Sequence, residues 1–330
     1  PGEIDEARIE WRGLASFPHL SKPVRDPATG AWTMTVNRTE DNFIVMPMGD
    51  SITEGSGNVE NAPSYRKALA ERMMAAGMNP RFVGARIYKS TPIANEDCRN
   101  HTGLSGQRVQ SAGNRGGYLQ GAPNWLEQAG YPDAITLMIG TNDSTTATGE
   151  QAETDAEAAF GRWKALVKTM AEVRPNTWII VAPITPARAD RTNIKAFNHA
   201  YNARIKSLFA VTESTVEVNG EQVPCVLGTL NAAGKEVFGA GAKVIMASMF
   251  DALPEEGNAG YFHDNLHPNQ AGYDRMAAVW LEAIKTLRGE QGGLKDAEAI
   301  VDAYQTAGAM DRVTVVFNRQ QREPEGVTLT

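Results

Sequence analysis

The sequence predicts a doubly wound α/β fold, a three-layer α/β/α arrangement around a five-stranded parallel sheet. Five short apolar runs indicate the strands, and they occupy residues 43–48, 81–84, 134–139, 177–182 and 243–248. Stretches with helical periodicity alternate with them, which is the pattern of a parallel sheet buried between two layers of helices. The active site of such a fold lies at the carboxyl ends of its strands. We therefore expect functional side chains in the loops after the first and third runs.

Apolar residues recur every three or four positions between and after the strands, as they do on the buried face of a helix. The predicted helices cover residues 65–76, 152–173, 194–208 and 273–287. Ser64 precedes the first of them. It is suited to cap that helix, because a serine side chain accepts a hydrogen bond from a free backbone N–H of the first turn.

Residues 43–288 hold all five strands and form the expected catalytic domain, with flanks at 1–42 and 289–330. Within this domain, residues 210–242 lack a clear period, and we interpret them as an insertion. The insertion is predicted to carry a hairpin, because the Asn-Gly pair at 219–220 favours a tight turn between strands.

The flanks contain two strand-like runs, at 31–36 and 312–318, and a short helical pattern over residues 294–304. One interpretation pairs the two runs as β-strands in an extension that packs on the catalytic domain. The other treats the flanks as remnants of a larger multidomain protein. The sequence leaves both interpretations open.

Composition excludes several classes of function. The 330 residues carry 32 Lys and Arg against 39 Asp and Glu, and they lack the basic clusters that bind nucleic acid. No apolar run approaches the ~20 residues that span a bilayer, so membrane insertion is not expected. Cys98 and Cys225 fit no zinc-ligand spacing, and whether they form a disulfide stays open. The oligomeric state is not predicted.

The first strand ends in the motif Gly-Asp-Ser at 49–51, which places Ser51 at a strand-to-helix turn. Glycine lets the backbone bend sharply, and a turn of this kind exposes the hydroxyl of a nucleophilic serine above the sheet of an α/β enzyme. The same tripeptide is also a common turn. Taken alone, it does not identify a nucleophile.

Two further motifs follow later strands. Asn142, in Gly-Thr-Asn-Asp at 140–143, can cap a helix or donate its amide N–H to the oxyanion of an acyl transfer. In the last loop, Asp264 lies three residues before His267, so its carboxylate can hold Nδ1 of the imidazole and leave Nε2 free as a base. His263 is a rival base, but adjacent side chains point apart, which favours His267.

Taken together, the motifs at 49–51, 140–143 and 264–268 resemble those of the SGNH (GDSL) hydrolase family, in that family's order. The resemblance covers about residues 43–288 and implies a flavodoxin-like fold. It implies a catalytic triad of Ser51, Asp264 and His267. It also implies an oxyanion hole made of the Ser51 N–H, a glycine N–H and the side chain of Asn142.

The glycine of the family's oxyanion hole corresponds to a position within residues 101–107. This chain reads Gly-Leu-Ser-Gly-Gln at 103–107 where the family more usually has Gly-His-Ser-Gly-Trp. By that similarity Gly106 is the better match, and Gly103 is the alternative.

Within the family the chain is most similar to carbohydrate O-acetylesterases, on the segments 97–106, 122–133 and 266–273. The resemblance implies a secreted or periplasmic serine esterase that removes acetyl groups from a small or polymeric carbohydrate ester, with no metal or organic cofactor. The alternative is a lipase or thioesterase of the same fold that acts on longer acyl chains. An inactive glycan-binding module is a further alternative.

Overall fold

The computed structural model describes residues 24–25, 27–28, 32–36, 42–55, 62–129, 132–288, 313–317 and 325–329. The strands are β1 Val24–Arg25, β2 Trp32–Val36, β3 Asn42–Gly49, β4 Asn79–Phe82, β5 Thr102–Gly103, β6 Ala134–Met138, β7 Trp178–Val181, β8 Phe209–Val218, β9 Glu221–Leu230, β10 Val244–Ala247, β11 Val313–Phe317 and β12 Glu325–Leu329. The α-helices are α1 Ser51–Glu54, α2 Tyr65–Ala75, α3 Tyr118–Ala129, α4 Gly149–Val173, α5 Lys195–Lys206, α6 Ala232–Phe238, α7 Met249–Ala252 and α8 Gln270–Arg288.

The main sheet has the strand order β4-β3-β6-β7-β10-β9-β8, with the short β5 beside β3. Strands β3, β6, β7 and β10 pair in parallel. The five strands expected from the apolar runs are β3, β4, β6, β7 and β10, and their bounds differ from the predicted ones by at most two residues. Their spatial order is the doubly wound one, in which the chain reverses direction beside the first strand. The carboxyl ends of β3 and β6 therefore lie side by side.

A long hairpin extends this sheet beyond the five expected strands. Strands β8 and β9 pair over their full length around the turn at Asn219 and Gly220, and β9 pairs antiparallel with β10. The predicted hairpin at 219–220 is confirmed. Residues 210–242 are not the irregular insertion that we expected, because β9 continues the hydrogen bonding of the sheet past β10 and α6 follows it.

Helices cover both faces of the main sheet. Helices α2 and α8 pack together on one face, where the rings of Tyr65 and Trp280 lie 5.9 Å apart. Helices α3, α4 and α5 pack side by side on the other face. The four predicted helices are confirmed as α2, α4, α5 and α8, and Ser64 caps α2 as expected. None of the described helices is long and apolar enough to cross a membrane.

The chain divides into two compact units, one of residues Phe43–Arg288 and one of the flanks Pro1–Asn42 and Gly289–Thr330. In the flank unit the sheet order is β1-β2-β11-β12. Strand β11 pairs in parallel with β2, which confirms the pairing that we expected between the two strand-like runs. The helix predicted over residues 294–304 lies outside the described residues.

Cys98 and Cys225 are both buried and carry free thiols. Cys98 lies in the short helical turn Glu96–Cys98, and Cys225 lies in the central part of β9. Burial raises the pKa of Cys98 to about 12, so this thiol is uncharged at neutral pH. The question that the sequence left open is therefore answered in favour of two unpaired thiols.

Candidate active site

Ser51 lies where β3 ends and the short helix α1 begins. Gly49 is required for this turn, because a Cβ there would lie 2.5 Å from the carbonyl oxygen of Met138 on the neighbouring strand β6. Asp50 accepts a hydrogen bond from the backbone N–H of Ile52 at 3.0 Å and so caps α1. The side chain of Ser51 is thereby held at the carboxyl end of the first predicted strand.

The imidazole of His267 connects Ser51 to Asp264. Its Nε2 lies 2.9 Å from Oγ of Ser51, and its Nδ1 lies 2.7 Å from Oδ2 of Asp264. The other carboxylate oxygen, Oδ1, accepts the backbone N–H groups of Leu266 and His267, both at 2.7 Å. Burial acts to raise the pKa of Asp264, but these hydrogen bonds outweigh it and lower that pKa below its ordinary value. The ionised carboxylate favours a proton on Nδ1, which leaves Nε2 to accept the serine proton.

His263, the rival base, occupies a different position. Its side chain is exposed, and its backbone N–H donates to the carbonyl oxygen of His267 at 2.8 Å. This backbone bond closes the loop that carries Asp264. The contact with the serine hydroxyl belongs to His267.

Gly106 lies in a tight turn in which the N–H of Gln107 donates to the carbonyl oxygen of Leu104 at 3.2 Å. Its φ of 75° is in the left-handed region, which glycine adopts without strain. Among the described residues, none accepts a hydrogen bond from the Gly106 N–H. The N–H of Gly103 is already donated to Nδ1 of His101 at 2.9 Å. Of the two glycines, Gly106 is the one whose N–H is available to a ligand.

Asn142 lies in the helical turn Thr141–Asp143, directly after β6. Its Nδ2 donates to the carbonyl oxygen of Gln107 at 3.0 Å, and its Oδ1 accepts a hydrogen bond from Nη1 of Arg115 at 3.0 Å. The residue that precedes α4 is Thr148, so Asn142 does not cap that helix. Two hydrogen bonds fix the orientation of the carboxamide, and one N–H of Nδ2 is left for a ligand.

Two further carboxyl groups lie beneath the site. Burial raises the pKa of Asp50 to about 6, and burial also raises the pKa of Asp143. Asp143 accepts the backbone N–H of Val109 at 2.9 Å and forms an ion pair with Arg162 at 3.4 Å. Within the described ranges, no three His, Cys, Asp or Glu side chains are grouped as a metal site requires.

A family model described as GDSL-like Lipase/Acylhydrolase matches residues 45–280, which is most of the chain and includes every residue of the site. The chain belongs to the GDSL-like lipase/acylhydrolase family. Membership of this family makes the unit that contains Ser51 and His267 a serine hydrolase that acts on carboxylic esters.

Known proteins similar to this GDSL hydrolase include esterases. A curated relative, the multidomain esterase of Ruminococcus flavefaciens, is 25% identical over 258 residues, which cover 73% of this chain and 28% of the relative. Among solved structures, the Clostridium thermocellum family 3 carbohydrate esterase has a TM-score of 0.54 at 24% identity, over 76% of this chain and all of that one. A family 3 carbohydrate esterase from Talaromyces cellulolyticus has a TM-score of 0.50 at 20% identity, with the same coverage. These structures share the fold of the GDSL hydrolase.

Sequence reasoning missed Glu54, which connects the serine helix to the loop of Gly106. The buried carboxylate of Glu54 accepts the backbone N–H of Ser105 at 3.1 Å through Oε2 and Nη1 of Arg86 at 2.9 Å through Oε1. The role of Glu54 follows from the structure, because all residues of its short helix are buried and an unpaired carboxylate there is unfavourable. Arg115, which was also missed, left no signal, since its contact with Asn142 depends on how a distant loop folds.

Proposed function

We propose that this GDSL hydrolase removes short acyl groups, acetyl above all, from carbohydrate esters by two-step acyl transfer through Ser51. The observation that carries the proposal is the continuous hydrogen-bonded connection from Ser51 through His267 to Asp264, at 2.9 and 2.7 Å. This is the arrangement that activates a serine hydroxyl in hydrolases of unrelated folds.

In the first step, Oγ of Ser51 bonds to the ester carbonyl carbon while Nε2 of His267 takes the hydroxyl proton. The tetrahedral intermediate then collapses, its bond to the alcohol oxygen breaks, and His267 passes the proton to that oxygen. The alcohol leaves, and the acyl group stays on Ser51. Asp264 remains ionised throughout and stabilises the imidazolium of His267.

In the second step, water attacks the acyl carbon of the serine ester and gives its proton to His267. The bond to Oγ breaks, His267 returns the proton to Ser51, and the carboxylic acid is released. During both steps, the Ser51 N–H, the Gly106 N–H and Nδ2 of Asn142 donate to the negatively charged oxygen. Loss of one such donor typically raises the barrier by about 2.7–4 kcal/mol.

The carbohydrate part of the proposal is supported by the names of the solved structures that share the fold, since two of them are family 3 carbohydrate esterases. The multidomain esterase of R. flavefaciens supports the esterase part of the proposal. This chain spans 28% of the length of that relative. What the whole relative does is therefore extended to this chain only as a proposal.

Hydrolysis of 4-nitrophenyl acetate, butyrate and octanoate by the wild type and by Ser51→Ala tests the proposed reaction. We expect the highest kcat/KM on the acetate and no turnover by Ser51→Ala, with unchanged thermal unfolding. A preference for the octanoate would favour the lipase alternative. Binding of acetylated xylan without release of acetate would favour the inactive glycan-binding module.

A further inference from the structure

His101 is a buried histidine that the proposed mechanism does not use, and both of its ring nitrogens contact backbone groups. Its Nδ1 accepts the N–H of Gly103 at 2.9 Å, and its Nε2 lies 2.8 Å from the carbonyl oxygen of Tyr88. His101 directly precedes β5, and the chain continues from β5 into the loop that carries Gly106. The ring therefore joins the strand that enters this loop to a segment 13 residues earlier in the chain.

These two contacts determine the tautomer of the ring. A carbonyl oxygen accepts hydrogen bonds and an amide N–H donates them, so the proton of the neutral imidazole lies on Nε2, and Nδ1 is the acceptor. Burial lowers the pKa of His101 to about 2, and the positive charge of Arg66 acts in the same direction. The imidazole is therefore neutral at the pH of an enzyme assay and keeps its acceptor for the Gly103 N–H.

Arg66 connects the same carbonyl group to the helix of the proposed nucleophile. It is a fully buried residue of α2, and it donates from Nε to the carbonyl oxygen of Thr53 at 3.0 Å and from Nη2 to that of Glu54 at 2.8 Å. These are the last two residues of α1. Nη2 also lies 3.4 Å from the carbonyl oxygen of Tyr88, which His101 contacts as well. The Tyr88 carbonyl thus links β5 to α1.

Gly103 lies against that helix directly. A Cβ on Gly103 would lie 2.4 Å from the backbone nitrogen of Glu54, so there is no room for a side chain between the two backbones. Gly106 follows three residues later, and a shift of Gly103 is expected to move its N–H relative to Oγ of Ser51. Misplacement of a catalytic group by about 1 Å can lower the rate about 10²-fold. The pairing of β5 with β3 and the carboxylate of Glu54 also hold this segment, so loss of the His101 bond alone should have a smaller effect.

We propose that His101 is a positioning residue of this GDSL hydrolase, which holds Gly103 in place and thereby sets where the Gly106 N–H lies relative to Ser51. Both ring nitrogens are occupied by backbone groups, so His101 is not a second base. The inference rests on the proposed function, because the position of the Gly106 N–H matters only if that group stabilises the oxyanion of the acyl transfer.

Two substitutions separate the two contacts of the ring. Asn carries Oδ1 as many bonds from Cα as Nδ1 of histidine, so His101→Asn keeps an acceptor for the Gly103 N–H. The Tyr88 carbonyl keeps Arg66 as a donor in that variant. Gln carries Nε2 as many bonds from Cα as Nε2 of histidine, so His101→Gln keeps a donor for Tyr88 but lacks an acceptor at the position of Nδ1.

The first measurement is hydrolysis of 4-nitrophenyl acetate, at a temperature at which circular dichroism shows both variants to be folded. We expect His101→Gln to lower kcat about tenfold, since the loop loses one buried hydrogen bond, while KM changes little. His101→Asn should stay within about twofold of the wild type. The matched control is His199→Gln, the same substitution at an exposed histidine of α5, which should leave kcat and KM unchanged.

Inhibition by methylboronic acid is a readout that a merely structural role would not change. Oγ of Ser51 bonds to boron, His267 takes the hydroxyl proton, and the resulting tetrahedral boronate resembles the intermediate that the oxyanion hole stabilises. We expect the inhibition constant to rise about tenfold in His101→Gln, in parallel with the loss of kcat, and to be restored in His101→Asn. Equal losses of kcat in the two variants, or a loss without weaker boronate binding, would overturn the inference and leave the esterase proposal standing.

Amide hydrogen exchange separates failure of the two proposals. If the wild type hydrolyses no ester, the esterase proposal fails, yet exchange in the peptide that contains Gly103 and Gly106 still decides whether His101 holds the loop. Faster exchange in His101→Gln than in His101→Asn and the wild type would support the assignment of His101. The same exchange rate in all three proteins would overturn it.

Discussion

The carboxylate of Glu54 accepts a hydrogen bond from the backbone N–H of Ser105 at 3.1 Å, and this bond ties the helix of the proposed nucleophile to the loop of the proposed oxyanion hole. Ser51 begins that helix, and Gly106 directly follows Ser105. The short helix Ser51–Glu54 therefore carries both the proposed attacking oxygen and the carboxylate that holds the loop of a proposed oxyanion donor. The Glu54 side chain adds to the backbone pairing of β3 with β5, in which the Leu104 N–H donates to the carbonyl oxygen of Gly49 at 2.8 Å.

Replacement of Glu54 tests this role. We expect Glu54→Ala to lower kcat on 4-nitrophenyl acetate about tenfold with little change in KM, a smaller loss than removal of a donor, which costs about 10²–10³ in kcat. Glu54→Gln keeps an oxygen for the Ser105 N–H and should recover most of the activity. If Ala and Gln variants of matching thermal stability lose activity equally, Glu54 does not position the loop.

Arg115 orients the carboxamide of Asn142 through the 3.0 Å bond to Oδ1. Arg115→Ala should lower kcat about fivefold, within the usual coupling of about 0.5–3 kcal/mol between residues in contact. Asn142→Ala should lower kcat about 10²–10³-fold. In the Asn142→Ala background, loss of Arg115 should have no further effect, because the group that it orients is absent. A fivefold loss in both backgrounds would show that Arg115 acts independently of Asn142.

The two histidines of the last loop should differ sharply. His267→Ala removes the proposed base, which contacts Ser51, and we expect kcat to fall by about 10³-fold or more. His263→Ala removes an exposed ring and should leave kcat within about twofold of the wild type, since surface substitutions have small effects. Steady-state kinetics of both variants decide the assignment, and comparable losses would contradict it.

Asp50 makes the stability of the fold depend on pH. Burial raises its pKa from 3.8 to about 6, so between these values the folded state binds more protons than the unfolded state. The free energy of unfolding therefore falls as pH rises through this window. Asp50→Asn keeps an acceptor for the Ile52 N–H but does not ionise.

The Tm of Asp50→Asn relative to the wild type should accordingly rise as pH increases from 3.8 to about 6 and then level off. The corresponding change in the free energy of unfolding is on the order of 2–3 kcal/mol. Glu71→Gln, which removes an exposed carboxylate from α2, is the control and should show no comparable trend. A pH-independent difference for Asp50→Asn would show that Asp50 has an ordinary pKa in the folded state.

Much of the site follows from local sequence, because strand ends and turns are local features. The apolar runs located β3 and β6, and the motifs of Ser51 and Asn142 follow those strands directly. The spacing of Asp264 and His267 also determined which histidine receives the carboxylate.

The contacts that required the structure join residues far apart in the chain. The choice of Gly106 over Gly103 rests on a bond from Gly103 to His101, which depends on the fold of the whole loop. The sequence marked the hairpin of β8 and β9, but its pairing with β10 depends on which sheet edge is free. The contacts of Glu54 and Arg115 likewise form only when two loops meet.

The most direct measurement is mass spectrometry of the enzyme quenched during turnover of 4-nitrophenyl acetate, with the peptide that contains Ser51 analysed for a covalent adduct. If Ser51 is the nucleophile of a two-step acyl transfer, that peptide gains the mass of one acetyl group, and Ser51→Ala gains none. Full turnover with no adduct on Ser51, or the same adduct in Ser51→Ala, would contradict the proposed mechanism.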